Sequence, residues 1–132
     1  MKKLLLLLLL PFAIKAQTPP ETTESPVGRK ETTGDLTPRQ LIESYRARVI
    51  KGESMSDMAK RYSQDPGSAK QGGLYTNVGK GVMVPEFEAA AFKLKAGEIS
   101  EVFETQYGFH FIQLVSHHGE TVDLRHILIS NK

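Results

Sequence analysis

Two histidines lie inside the two apolar stretches at the C-terminal end of the chain, on either side of a short polar segment. His110 belongs to the stretch GFHFIQLV and His126 to the stretch LRHILI. Both stretches predict β-strands, and a turn centred on residues 117–119 would join them in a hairpin whose opposed residue numbers sum to about 236. In that register His110 faces His126 directly, on the more apolar face of the sheet.

A pair of imidazoles on one apolar face has two chemical uses. A neutral imidazole donates a hydrogen bond from one nitrogen and accepts one at the other, so two of them can fix each other's tautomer. Alternatively the pair could bind a metal ion, an interpretation that His117 and His118 favour slightly. Those two histidines fall in the predicted turn, without carboxylates at ligand spacing, so we expect no metal.

Three further residues are candidates for a site built around the histidines. Asp65 opens an Asp-Pro-Gly sequence, which by itself is most typical of a turn. Met83 and Phe87 are four residues apart at the entry to a predicted helix, so their side chains can point the same way. The alternative for Met83 and Phe87 is an ordinary position in the core.

The first residues of the chain predict export. A basic start, an uninterrupted leucine run and a small residue at Ala16 indicate a signal peptide, residues 1–16, so we expect a periplasmic or secreted protein. The alternative is a permanent membrane anchor, but the apolar run is shorter than the about 20 residues that a membrane span needs. We therefore expect no stable membrane anchor after cleavage.

The remaining chain is nearly balanced in charge. Residues 1–16 contain three of the 17 basic side chains, and their removal leaves 14 basic against 15 acidic ones. No basic patch interleaved with aromatic residues occurs, which argues against nucleic acid as a partner. The lack of cysteine excludes disulfides. Residues 17–35 are polar enough to predict a flexible linker, ahead of one small domain at residues 36–132.

Capping and turn patterns predict the elements that would position the candidate residues. Helices are expected from Thr37, from Ser54 and from Val84, turns over residues 63–73, and strands over residues 74–78 and 99–104 and in the apolar runs 108–115 and 124–129. The order is helix, helix, strand, helix and then three strands. It indicates an α+β fold with a small antiparallel sheet of about four strands and packed helices.

Three separated stretches carry a resemblance to a known family. YSQDPGSAKQGG, GVMVPEFEAAAFKLKAGEIS and TQYGFHFIQLV are similar to consecutive motifs of the parvulin-type peptidyl-prolyl isomerases, or rotamases, and together span roughly residues 41–115. The resemblance implies a parvulin/FKBP-like sheet. It also implies non-covalent, cofactor-free isomerisation of Xaa-Pro bonds in unfolded or partly folded exported polypeptides.

The resemblance also implies roles for individual residues. Met83 and Phe87 match the proline pocket, and Asp65 matches the position where relatives carry a cysteine or an aspartate beside the twisting bond. Thr105 and Tyr107 match positions that line the site and hydrogen-bond the histidine pair. The sequence departs from the family after Gly72-Gly73: relatives continue with Asp-Leu-Gly-aromatic, whereas here Tyr75 takes the place of the pocket leucine.

The order of the strands departs from the family as well. In relatives a strand of the type RHILI precedes the first helix, whereas here residues 125–129 stand at the C-terminal end. We therefore expect a circularly permuted domain, because the family's first and last strands are neighbours that each contribute one histidine. The alternative is one unit followed by the orphan first strand of a second, tandem unit.

Two other functions are compatible with the sequence. The same groove could bind exposed apolar or proline-containing segments as a chaperone does, with negligible turnover. The chain could also be a structural fragment that needs a partner chain to complete its sheet. Our expectation is a monomeric isomerase.

Overall fold

The computed structural model describes residues 36–132. The predicted signal peptide and linker, residues 1–16 and 17–35, lie outside the described residues. In chain order the elements are α1 (Pro38–Ile50), α2 (Met55–Tyr62), a 3₁₀ turn (Ala69–Gln71), β1 (Leu74–Val78), α3 (Pro85–Phe92), β2 (Phe103–Thr105), β3 (Gly108–His118) and β4 (Thr121–Ser130). No helix within this part of the chain is long and apolar enough to cross a membrane.

The helices begin where the capping residues predict. Thr37 and Gln40 form a reciprocal capping box, in which each side chain accepts a hydrogen bond from the other's backbone N–H at 3.1 and 3.0 Å. Ser54 caps α2 by accepting a hydrogen bond from the backbone N–H of Asp57 at 3.1 Å. Pro85 occupies the first turn of α3, where its missing N–H costs nothing.

The sheet has the strand order β1-β4-β3-β2, and every neighbouring pair is antiparallel. The α+β fold class with about four antiparallel strands is therefore confirmed. One face is covered by α1 and α2, whose buried side chains, such as Ile42 and Met58, pack against Phe111 and Ile127. The other face packs against α3, where Phe87 and Ala91 meet a second apolar cluster.

The C-terminal strand β4 is central in the sheet. It pairs with β1 along one side and with β3 along the other. Its buried apolar residues are Val122, Leu124, Ile127, Leu128 and Ile129. At about 2 kcal/mol for each buried side chain, these five amount to about 10 kcal/mol, comparable with the whole stability of a small domain.

The register of the β3–β4 hairpin differs from the expectation. His110 lies opposite Leu128, and His126 lies opposite Ile112, so the two histidines are diagonal neighbours rather than directly opposed. The prediction of a direct pair was wrong because the hairpin turns later than expected, at residues 119–120. The opposed residue numbers therefore sum to 239 at the tip, and a bulge at Val115 in β3 lowers the sum to 238 at the histidines.

The bulge at Val115 decides which face each histidine occupies. At the tip of the hairpin His118 lies opposite Thr121, and continuing that register would place His126 opposite Gln113, on the face away from His110. The extra residue shifts the register by one, and a shift by one moves all following side chains to the other face. His110 and His126 therefore share a face because of the bulge.

The strand predicted over residues 99–104 is shorter and later than expected. The regular strand is Phe103–Thr105, and Ile99 makes only an isolated bridge to Gln113. Ser100 interrupts the regular pairing, since its side-chain hydroxyl accepts the hydrogen bond of the Ile112 N–H at 3.0 Å. The edge of the sheet is therefore irregular before β2.

Deleting residues 123–132 should prevent folding, so that no cooperative unfolding transition is observed. The deletion removes most of the central strand together with four of its five buried apolar side chains. Circular dichroism with urea titration measures this, and a chain lacking only residues 131–132, which follow β4 and are exposed, is the control. A cooperative transition in the longer deletion would contradict the central role of β4.

Deleting Val115 alone tests the bulge. Without the extra residue, Leu114 and Ser116 become neighbours and can keep their partners Leu124 and Asp123, so His110 and His126 stay on one face. We expect a native-like two-dimensional NMR spectrum, with chemical-shift changes confined to the hairpin around residue 115. The control is Val115→Thr, which keeps the chain length and the bulge at this exposed position. Loss of the native spectrum in the deletion but not in Val115→Thr would argue against Val115 as the extra residue.

Candidate active site

The histidine pair forms the floor of the candidate site. His110 on β3 and His126 on β4 are 4% and 3% exposed. Their Nδ1 atoms are 3.4 Å apart, and their rings stack at a centroid distance of 5.5 Å. Two polar rings buried on an apolar face must satisfy their nitrogens within the protein.

Each outer nitrogen of the pair has a partner. Nε2 of His110 lies 2.7 Å from Oγ1 of Thr105, at the end of β2. Nε2 of His126 lies 2.9 Å from Oδ2 of Asp65, in the loop after α2. Ser68 and Tyr75 surround the same carboxylate oxygen, and their hydroxyls donate to it at 2.6 and 2.7 Å.

The contacts define one direction for the hydrogen bonds when Asp65 is ionised and both imidazoles are neutral. Asp65 only accepts, so Nε2 of His126 carries a proton and its Nδ1 accepts. Nδ1 of His110 then donates to His126, and Nε2 of His110 accepts from the Thr105 hydroxyl. The Thr105 oxygen accepts in turn from the backbone N–H of Tyr107 at 3.1 Å. Every group in the chain from Tyr107 to Asp65 has a partner.

The electrostatics agree with an ionised Asp65 and a neutral His110. Hydrogen bonds from His126, Ser68 and Tyr75 hold the pKa of Asp65 well below its usual range, although burial opposes the shift. Burial, with a smaller effect of His126, lowers the pKa of His110 to about 4. Burial and the adjacent carboxylate of Asp65 raise the pKa of Tyr75 to about 12. At neutral pH, Asp65 is therefore ionised and His110 is neutral.

The loop that carries Asp65 is attached directly to β4. Gln64 donates its backbone N–H to the carbonyl of Leu128 at 2.7 Å, and the Leu128 N–H donates to the Ser63 hydroxyl at 3.1 Å. After the loop, the Gly73 carbonyl accepts from the His126 N–H at 3.0 Å. These bonds fix the distance between Asp65 and His126.

Gly73 allows the chain to approach His126 closely. Its φ of +77° favours glycine, and a Cβ at this position would lie 2.3 Å from the carbonyl oxygen of His126. The paired glycines recognised in the sequence therefore hold the start of β1 against the strand that carries the histidine.

Aromatic rings enclose the histidine pair. Phe103 on β2 stacks on His110 at 5.2 Å, and Tyr75 on β1 lies 5.4 Å from His126. Phe87 from α3 stands edge-on to both imidazoles, at 5.7 Å from His110 and 5.1 Å from His126. The four strands thus present one row of rings on the face that α3 covers.

A groove of about 470 Å³ lies over this row. Its wall is mostly apolar, and Asp65 is the one acidic residue that lines it. Val82 and Tyr107 at the rim are 68% and 55% exposed. The lining residues are Asp65, Pro66, Tyr75, Val82, Met83, Val84, Phe87, Tyr107, His110, His126 and Leu128. An apolar groove with a few convergent polar groups has the form of a ligand site.

The structure brings all eight candidate residues from the sequence together. Seven of them line the groove, and Thr105 lies buried behind His110. Sequence reasoning missed Ser68, Phe103 and Leu128. Leu128 follows His126 at strand spacing and could have been found by alternation. No sequence pattern marked Ser68 as a site residue, because only the folded loop turns its hydroxyl toward Asp65 and His126.

The other two histidines, His117 and His118, lie at the hairpin tip, outside the groove. His117 contacts the Leu94 carbonyl at 2.9 Å, and His118 contacts Asp123 at 2.9 Å. Among residues 36–132, no three histidine, cysteine or acidic side chains are placed to hold a metal ion.

The structure has a small antiparallel sheet with two linked histidines under an apolar groove. This is the class of site that the resemblance to parvulin-type rotamases implies. The family model described as the rotamase, PPIC-type PPIase domain, matches residues 18–116. The chain belongs to this family. The resemblance stated on the sequence motifs is therefore confirmed at the level of the family.

Curated relatives and a solved structure agree with the family. The chain is 54% identical over 75 residues to "Foldase protein PrsA" of Geobacillus kaustophilus, covering 57% of this chain and 27% of that protein. It is 39% identical over 77 residues to "Chaperone SurA" of Pseudomonas fluorescens, covering 58% and 18%. The crystal structure of peptidylprolyl isomerase (PrsA) from Bacillus cereus matches with a TM-score of 0.50 and 29% identity, covering 74% of this chain and 32% of that one. The chain thus spans only 27% and 18% of the length of these two curated relatives.

Stability should fall with acid because of His110. Its folded-state pKa of about 4 is below the ordinary 6.5, so between these values the unfolded chain binds one proton more than the folded one. The free energy of unfolding should therefore decrease by about 1.4 kcal/mol per pH unit as the pH falls through this window. Asp65, whose pKa is also lowered, adds a further loss of stability at lower pH.

The variant His110→Gln isolates this effect. Urea unfolding at several pH values from 7 to 4.5 gives the free energy of unfolding as a function of pH. In the variant this free energy should fall less steeply with acid than in the wild type, by the amount that corresponds to about one bound proton. The matched control is His118→Gln, at the exposed hairpin tip. This variant should still show the loss of stability between pH 7 and pH 4.5 that His110 causes. Equal slopes in His110→Gln and the wild type would refute the assignment.

Proposed function

We propose that the domain catalyses cis–trans isomerisation of Xaa-Pro bonds in unfolded or partly folded polypeptides, without a covalent intermediate or a cofactor. The observation that carries the proposal is the apolar groove that Asp65 lines, together with the buried chain of hydrogen bonds from Thr105 to Asp65. Rotation about a prolyl amide needs no nucleophile, since no bond is broken.

An apolar groove favours the twisted form of the amide. The barrier of about 18–20 kcal/mol comes from conjugation, which moves charge from nitrogen to the carbonyl oxygen in the planar amide. The twisted amide loses this charge separation and is less polar, so an environment with little water favours the transition state over the ground state. In our proposal Met83, Phe87 and Leu128 hold the pyrrolidine ring in that environment.

Asp65 adds a fixed negative charge beside the bond. A carboxylate close to the substrate carbonyl disfavours the partial negative charge that the planar amide places on its oxygen. The histidine pair keeps Asp65 in position rather than transferring a proton, because His110 is neutral and its low pKa makes it a poor proton carrier at neutral pH. In this proposal Tyr75 and Tyr107 line the two sides of the substrate.

The proposed location and organisation follow from the sequence. We propose a signal peptide at residues 1–16, a flexible linker at residues 17–35 and the isomerase domain at residues 36–132, acting as a monomer on exported polypeptides in the periplasm or outside the cell. The names of the relatives, a foldase and a chaperone, support polypeptides as the substrates.

A second function, binding of polypeptide segments with negligible turnover, is favoured by one observation. Val82 and Tyr107 form an exposed apolar rim on the groove, which offers contact area for residues next to a proline. The third interpretation, a fragment that needs a partner chain, has less support, because β4 already fills the centre of the sheet within this chain.

We also propose that the domain is circularly permuted. The RHILI segment lies in β4, between β1 and β3, and places His126 within contact of His110. An orphan strand from a second unit would have no reason to carry five buried apolar residues in this core. The central position of β4 therefore supports permutation over the truncated tandem alternative.

Isomerase activity is tested by NMR exchange on short Xaa-Pro peptides. We expect wild-type protein at micromolar concentration to accelerate exchange. Asp65→Ala should lower kcat, and Met83→Ala should lower kcat/KM about ten-fold or more, mainly through KM, because it removes apolar contact with the ring. His118→Asn is the control outside the groove. Peptide binding without acceleration would favour the second function, and neither binding nor acceleration would refute both.

A further inference from the structure

Ser68 is a buried polar residue to which the family motifs and the resemblance gave no role. It is 0% exposed, and it lies just before the 3₁₀ turn, Ala69–Gln71. Its hydroxyl donates to Oδ2 of Asp65 at 2.6 Å and lies 3.2 Å from Nε2 of His126. A buried hydroxyl needs partners, and both partners of Ser68 belong to the site.

Tyr75, on β1, contacts the same carboxylate oxygen. Its hydroxyl donates to Oδ2 of Asp65 at 2.7 Å, and its ring lies against His126. A leucine, which is the family residue at this position, has no donor. The departure from the family pattern therefore adds a hydrogen bond to the carboxylate beside the substrate.

The three donors are unevenly distributed on Asp65. Oδ2 receives hydrogen bonds from Ser68, Tyr75 and His126, whereas Oδ1 has only the backbone N–H of Gly67 at 3.4 Å. Charge-assisted hydrogen bonds of this kind are stronger than neutral ones. The carboxylate is held through one oxygen, and the other is left with a single long contact.

Gly67 gives a second, independent observation on Tyr75. A Cβ at Gly67 would lie 2.7 Å from the Tyr75 hydroxyl, and that separation is shorter than real contacts allow. An alanine at this position would therefore displace the phenol from Asp65. The missing side chain at residue 67 and the hydroxyl at residue 75 fit each other.

We propose that Ser68 and Tyr75 are positioning residues that hold Asp65 on His126 through Oδ2, with Gly67 providing the space for the phenol. This inference rests on the proposed isomerase function for its kinetic consequence, but the arrangement of Asp65 and His126 can be measured without activity. Tyr75 thus has a role beyond lining the groove.

The variants Tyr75→Phe and Ser68→Ala each remove one donor and little volume. The pKa of the Asp65 carboxyl should rise, because a hydrogen bond to its charged form is lost, and ¹³C NMR during acidification follows it. The ¹⁵N resonance of Nε2 in His126 should move away from the protonated value as its tautomer becomes less fixed. We expect kcat to fall about ten-fold, the factor for one hydrogen bond to a charged group, with a smaller change in KM.

A double-mutant cycle tests the fit between Gly67 and Tyr75. Gly67→Ala should reproduce the NMR and kinetic effects of Tyr75→Phe in the wild-type chain, but should have little further effect in the Tyr75→Leu chain. Ser68→Thr keeps the hydroxyl and should retain more activity than Ser68→Ala. The matched control is Tyr62→Phe, which removes a phenol hydroxyl from α2, on the opposite face of the sheet.

Unchanged Asp65 and His126 resonances in both Tyr75→Phe and Ser68→Ala would overturn the inference, whatever the activity. Additive effects of Gly67→Ala and Tyr75→Leu would overturn the role of Gly67. Changed resonances in a protein whose wild type does not accelerate isomerisation would support the positioning and refute the proposed function. The two failures are therefore distinguishable.

Discussion

The contact between Nδ1 of His110 and Nδ1 of His126, at 3.4 Å, is the constraint on which the rest of the site depends. It requires that the strands carrying the two histidines are neighbours and that both rings lie on one face. The tight hairpin between β3 and β4 meets the first requirement, and the bulge at Val115 meets the second. A shift of one residue would separate the rings, because alternate side chains of a strand point to opposite faces.

A buried polar chain is favourable only when all its members have partners. Here the chain ends on Thr105 at one side and on the ionised Asp65 at the other, so no imidazole nitrogen is left without a partner. The loop carrying Asp65 is bound to the backbone of β4. The strand that holds the sheet together thus also sets the position of the carboxylate, and fold stability and site geometry have the same origin.

The site separates two physical tasks. In the proposed function the apolar wall of the groove would lower the polarity around a bound amide, whereas the hydrogen-bonded floor keeps one charge in a fixed place. Phe87 contributes to both, since it lines the groove and packs edge-on against the two imidazoles. Preorganised charge in a site with little water acts without reorganisation during the reaction, and this fits a reaction that only rotates a bond.

Much of the fold and the site followed from the sequence alone. Capping residues such as Thr37 and Ser54 determined where helices start, because they satisfy N–H groups locally, and motif spacing identified the family and all eight candidate residues. The direct pairing of the histidines was wrong, and Ser68 was missed. The register and the bulge at Val115 depend on how β3 and β4 pair. The approach of Ser68 and Tyr75 to one oxygen of Asp65 depends on how their loop folds against His126, so only the tertiary structure decided these features.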